Sequence, residues 1–170
     1  VGLDIRAEQV EENRTQAAQI FSSSEAARPK PVEESISDPS AITPVEPVSM
    51  PDGSVAWIKR DDLFEVNGVS GAKARAGLLF GKGAAGLVAV GSRHSSMVSR
   101  VARLAETLGV PSRVYTSDSK DLSPSEADAV AHGAELIKPP GRGFMTRLQK
   151  IAREDCSGRP GWRYVELGLE

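Results

Sequence analysis

Trp57-Ile58-Lys59-Arg60-Asp61-Asp62-Leu63-Phe64 is followed, after three residues, by Gly68-Val69-Ser70-Gly71-Ala72-Lys73-Ala74-Arg75. The first run predicts a strand that ends in an acidic corner, and the second predicts a glycine-flanked loop entering a helix. A lysine attacks a carbonyl only when it is held beside it and spends time neutral, which requires partial burial or nearby positive charge. Small neighbours allow a close approach to Lys73, so it is the candidate nucleophile. The simpler alternative is an exposed lysine in the first turn of a helix.

Downstream, strands and helices alternate at short intervals. The apolar periods predict strands over 54–59, 86–90, 113–116, 134–137 and 162–167, and helices over 72–81, 95–108, from Ser123, and over 143–154 with Phe144 on its apolar side. Such alternation predicts an α/β fold, an open parallel sheet with helices on both faces. Ligands of these sheets bind beyond the carboxyl ends of the strands, where the loops 91–95, 117–122 and 138–143 would gather.

The first part of the chain has a different composition. Residues 1–21 read as a polar helix, residues 22–42 as a linker rich in Pro, Ser and Glu, and residues 43–170 as the incomplete α/β domain. A polar helix with few apolar residues gains little burial alone. We therefore expect the tail to contact another subunit, in a homo-oligomer or with a partner chain that completes the fold.

A second candidate site is the loop Gly91-Ser92-Arg93-His94-Ser95-Ser96, between a buried strand and a helix. A helix N-terminus offers unpaired N–H groups and partial positive charge to an anion. Ser95 and Ser96 are either ligands of that anion or simple helix caps. His94 could titrate near neutral pH, although a lone histidine in a loop is more often a surface residue.

The runs Lys59-Arg60-Asp61-Asp62-Leu63 and Ser70-Gly71-Ala72-Lys73-Ala74-Arg75 resemble the N-terminal half of fold type II pyridoxal-phosphate enzymes. Within that family, the runs look most like the group of aminocyclopropane-carboxylate deaminase and D-cysteine desulfhydrase. The resemblance implies that Lys73 is the catalytic Schiff-base lysine and holds the cofactor together with Arg75. One glycine and an asparagine of the family's lysine motif are replaced here.

The same resemblance assigns roles to the loop at 91–96. Ser95 matches the family's serine that binds the substrate carboxylate, and His94, at the place of a neighbouring glutamine, is the second candidate substrate-binding residue. Ser96 replaces an asparagine that contacts the cofactor ring. The resemblance covers roughly residues 43–167, and the family's glycine-rich phosphate cradle lies further on.

Three functions remain open on this basis. The resemblance implies a pyridoxal-phosphate-dependent lyase or deaminase that acts on a small amino acid. The alternative is a non-catalytic module of the same fold that serves assembly in a larger particle, because fold alone does not decide function. A nucleotide-binding protein could also use such strand-to-helix loops.

Composition excludes several other classes. Two separated histidines and the single Cys156 give no metal-ligand spacing, so we expect no metal site. No block of like charge is dense enough to indicate nucleic-acid binding. No apolar run is long enough to span a bilayer, so we expect a cytoplasmic protein or part of a soluble assembly.

Overall fold

The computed structural model describes Thr15, residues 36–141 and residues 144–166. The helix predicted over 1–21, apart from Thr15, most of the linker predicted over 22–42, and residues 167–170 lie outside this described part. The strands are β1 (Val45–Ser49), β2 (Val55–Lys59), β3 (Glu65–Val66), β4 (Val69–Ser70), β5 (Gly86–Val90), β6 (Ser112–Tyr115), β7 (Glu135–Ile137) and β8 (Trp162–Val165). The helices are α1 (Ala72–Gly81), α2 (Ser96–Leu108), α3 (Pro124–Ala131) and α4 (Met145–Ser157).

A parallel sheet with strand order β7-β6-β5-β8 forms the centre of the fold. Every residue of β5 is buried. Successive side chains of a strand point to opposite faces, and β5 follows this rule. Leu87 packs with α2 on one face, whereas Val88 packs with Leu148 of α4 on the other. The predicted α/β class, with helices on both faces of an open parallel sheet, is confirmed.

The strand predicted over 54–59 lies outside that sheet. It is β2, which pairs antiparallel with β1 in a separate ribbon, with Pro47 opposite Trp57. The turn between the two strands contains Gly53 at φ 83°, and Asp52 accepts hydrogen bonds from Ser54. Antiparallel strands can be joined by a tight turn of this kind, whereas parallel strands need a long crossover connection.

Two helix boundaries show how local sequence acts. Ser123 and Glu126 form the expected capping box at the start of α3, and Gly109 ends α2 in the left-handed conformation.

The expectation that Phe144 lies on the apolar side of its helix is wrong. Because α4 begins at Met145, Phe144 precedes the first turn and is 64% exposed instead of facing the core.

The contacts of the domain begin before Thr43. Ile36 N–H donates to Leu63 O at 2.9 Å, and Glu65 N–H donates to Ile36 O at 3.0 Å. These bonds place Ile36 beside Phe64, which is completely buried.

In the described part of the chain, no helix combines the length and the apolar character needed to cross a lipid bilayer.

Candidate functional site

Lys73 lies in the first turn of α1 and is exposed. The preceding Gly71 has φ 88°, a backbone conformation that favours glycine, and a Cβ there would meet nothing within 4 Å. Among the described residues, Lys73 Nζ has no hydrogen-bond or ion-pair partner. The lysine therefore stands in open space with its amine uncommitted, and the partial burial that the sequence argument required is not provided by these residues.

Arg75 uses its guanidinium within the domain. Its side chain is 16% exposed and stacks over the Phe64 ring, with Cζ 4.8 Å from the ring centroid. Nη1 donates to Ala41 O, and Nη2 lies 3.9 Å from Asp61 Oδ1. Arg75 thus fastens the segment before β1 to the start of α1. Its assignment to the cofactor stays a prediction.

Asp61 is the acceptor at the acidic corner of the opening motif. Thr43 Oγ1, in a completely buried residue, donates to Asp61 Oδ1 at 2.6 Å, and Lys59 Nζ lies 3.1 Å from the same oxygen. The hydroxyl of Thr43 and then the ammonium of Lys59 hold the pKa of Asp61 below its usual range. The motif that supports the resemblance therefore has a structural use in this chain.

The loop at 91–96 lies beyond the carboxyl end of β5. Ser95 is the N-cap of α2: its Oγ accepts from Met97 N–H at 3.2 Å, and its own N–H donates to Ser92 O at 2.8 Å. A Cβ on Gly91 would lie 2.7 Å from Val98 Cγ2, so glycine permits the close approach of loop and helix here. The capping role considered for Ser95 is present. His94 and Ser96 are both exposed.

A polar cluster next to this loop was not predictable from the sequence. This carboxylate cluster consists of Glu126, Thr116, Ser123, Arg93 and Lys138. Glu126 is completely buried. Its Oε1 accepts from Thr116 Oγ1 at 2.7 Å, and its Oε2 accepts from Ser123 N–H at 2.7 Å. Lys138 Nζ lies 3.5 Å from Oε1, and Arg93 Nε lies 3.7 Å from Oε2. Only the capping box of Ser123 and Glu126 was recognisable in the sequence, because Arg93 and Lys138 lie in loops that are far apart along the chain.

The candidate residues fall into two groups. His94 and Ser95 lie in the loop after β5 and Ser96 begins α2, whereas Lys73 is the second residue of α1. The two groups belong to one packed unit, since α1 contacts α2 through the buried Leu78 and Leu104. Two neighbouring helices therefore carry these groups: α1 carries the primary amine of Lys73, and α2 offers its N-terminus with the nearby serine hydroxyls.

No protein-family model matches the chain, and no curated protein sequence matches it. Solved structures do match. An ACC deaminase homologue is 23% identical with a TM-score of 0.52, and the match covers 73% of this chain and 42% of that chain. Cysteine synthase from Entamoeba histolytica is 14% identical with a TM-score of 0.51, and the match covers 82% and 46%. A hydrogen sulfide-producing enzyme from Fusobacterium nucleatum is 13% identical with a TM-score of 0.51, and the match covers 79% and 46%.

These similarities concern the fold, because all three identities are low. The chain spans less than half of the length of each of these proteins. Over that shared length, it has the fold of fold type II pyridoxal-phosphate enzymes.

Proposed function

We propose that the chain is part of a pyridoxal-phosphate-dependent lyase or deaminase that acts on a small amino acid through Lys73. The observation that carries this proposal is the position of Lys73. It is the second residue of α1, two positions after Gly71 with its positive φ, and its amine has no partner among the described residues, in a fold that pyridoxal-phosphate enzymes share.

The residues present fit one end of such a cofactor. An aldehyde needs a primary amine with room around it, and the open space at Gly71 leaves such room beside Lys73. The first-turn amides of α2 and the hydroxyls of Ser95 and Ser96 suit a carboxylate or a ring oxygen. None of the described residues corresponds to the glycine-rich phosphate cradle expected for the family.

Each residue has a definite task in this proposal. Pyridoxal phosphate, when bound, supplies an aldehyde and an electron-withdrawing ring. Lys73 would hold the cofactor and, once released from it, would move the proton at the substrate α-carbon. Ser95 and the first-turn amides of α2 would orient the substrate carboxylate. His94, exposed beside them, would contact the substrate.

Reductive labelling tests the proposal. The protein is mixed with pyridoxal phosphate, reduced with borohydride and mapped by peptide mass spectrometry. We expect the label on Lys73 and its loss in Lys73→Ala. Lys82, an exposed lysine directly after the same helix, gives the matched control variant Lys82→Ala, which should leave the label on Lys73 unchanged. Label spread evenly over the lysines, and unaffected by Lys73→Ala, would overturn the proposal.

One observation favours a second function, assembly with another subunit. Val45, Val55 and Trp57 share one face of the β1–β2 ribbon and are 54%, 57% and 68% exposed. Contiguous exposed apolar side chains are typical of an interaction surface. We therefore also propose a non-catalytic assembly role for the ribbon. Sedimentation over a range of concentrations tests it: Trp57→Ser should lower the mass of any oligomer, and a monomer at all concentrations would contradict self-association.

A further inference from the structure

Three loops at the carboxyl edge of the sheet meet around one carboxylate. Gly91 follows β5 directly, Thr116 follows β6, and Lys138 follows β7. Glu126 comes from α3 and is completely buried between them. Its two oxygens accept from Thr116 Oγ1 and Ser123 N–H, each at 2.7 Å. Both oxygens of the carboxylate are therefore hydrogen-bonded within the protein, and the side chain is not exposed to solvent.

The two cations of the cluster also bind loop backbone. Arg93 Nη2 donates to Asp121 O at 2.6 Å. Lys138 Nζ donates to Ser119 O at 3.2 Å and lies 3.4 Å from Asp121 O. Both cations thus connect Glu126 to the segment 117–122. In addition, Ser123 Oγ donates to Arg93 O, which fixes the backbone of the 91–96 loop itself.

A capping role alone does not require these contacts. The capping box uses only Ser123 and Glu126. A buried carboxylate is costly unless it is paired and hydrogen-bonded, and removing its charge leaves the partner cations uncompensated. In this cluster, Arg93 and Lys138 would face each other without the anion between them. The loops that carry them would then separate.

We propose that Glu126 is the positioning residue of the 91–96 loop. Through Arg93 and Ser123 it fixes the backbone on which His94 and Ser95 lie, and so sets the direction of the amides that enter α2. The assignment of that loop to a substrate carboxylate rests on the proposed function. The positioning itself does not, so the two can fail separately.

Hydrogen exchange measured by mass spectrometry tests the positioning directly. Glu126→Gln keeps the shape of the side chain and removes its charge. We expect amides of 91–96 and 117–122 to exchange about tenfold faster in this variant, because local opening becomes easier when the loops lose their common anion. Amides of α4, on the opposite face of the sheet, should not change.

Asp128→Asn is the matched control. Asp128 lies on the same helix, is also buried, and pairs with Arg103, but it contacts neither loop. It should lower stability while leaving exchange at 91–96 unchanged. Unchanged exchange at 91–96 in Glu126→Gln, or equal acceleration in both variants, would overturn the inference.

A second variant covers the case in which Glu126→Gln does not fold. Lys138→Met removes one cation from a half-buried position and should accelerate exchange at 117–122 and 91–96 together; acceleration at 117–122 alone would contradict the proposal. Lys73 labelling of the unsubstituted protein, measured beside the exchange of the variants, separates the two proposals. Loosened loops without a Lys73 label contradict the enzyme proposal alone, whereas a Lys73 label with unmoved loops contradicts the positioning role alone.

Discussion

Gly86 and Trp162 face each other across β5 and β8, and the indole of Trp162 occupies the space that a side chain at 86 would need. A Cβ on Gly86 would lie 2.5 Å from both Cδ2 and Cε2 of the ring. Both atoms belong to one rigid ring, so either the whole ring or the strand would have to shift. The glycine at the start of the central strand is therefore a packing requirement of the sheet edge.

Gly86→Ala should destabilise the domain by about 1–3 kcal/mol, because overpacking forces a shift of the ring or the backbone. The free energy of unfolding in urea, followed by circular dichroism, measures this loss. Gly158→Ala is the control. Gly158 has φ −77°, and a Cβ there would meet its nearest atom, Asp155 O, at an ordinary 3.6 Å. Gly158→Ala should therefore not destabilise, and equal losses at both sites would contradict the packing argument.

Ser95→Ala should lower the unfolding free energy by about 1 kcal/mol, since it removes the oxygen that accepts from Met97 N–H. Ser96→Ala provides the comparison, because Ser96 is exposed and no side-chain cap depends on it. Thermal unfolding measures the capping role. Titration with a small amino acid after cofactor loading measures the ligand role. A drop in stability with unchanged binding would leave Ser95 as a cap only.

The bond between Thr43 and Asp61 predicts a pH-dependent stability. The depressed pKa of Asp61 means that its contribution is complete above the unfolded value near 3.8 and is lost as the pH falls through the folded pKa. Thr43→Val should cost about 1 kcal/mol at pH 7, because it removes a hydrogen bond to a charged acceptor. Urea unfolding at pH 7 and pH 3 should show a smaller loss in acid. A loss independent of pH would contradict the role of the Asp61 charge.

Cys156 should be unreactive in the folded protein. Its side chain packs with α4 residues against the sheet, and burial raises the pKa of its thiol. Because the thiolate is the reactive form, alkylation by iodoacetamide at pH 8 should be slow in buffer and rapid in urea. Mass spectrometry of timed samples measures both rates. Rapid alkylation in buffer would show that α4 detaches from the sheet.

Elements with strong local signals are predictable from the sequence. The apolar positions of 95–108 give the length of α2, and Ser123 with Glu126 gives the start of α3. Both follow from interactions within a few residues of the chain. The β1 strand was missed because Pro47 and the charged Glu46 weaken its pattern, and only the pairing with β2 stabilises it.

The site was less predictable than the fold for the same reason. The loop containing Ser95 follows from a strand-to-helix boundary, and the capping alternative was foreseen. The partners of Arg75 could not be foreseen, because Ala41 lies 34 residues away along the chain. The contacts of Arg93 and Lys138 with Glu126 could not be foreseen either, because only the order of strands in the sheet brings their loops together.

The strand order also constrains how the chain folds as it leaves the ribosome. The central strand β5 pairs on one side with β6, which follows soon after it, and on the other with β8, which begins at Trp162. Until Trp162–Val165 emerges, one backbone edge of the most apolar strand has no partner. Unpaired apolar edges recruit strands of other chains. Nascent chains that stall before residue 162 should therefore be the form of this protein most prone to aggregate.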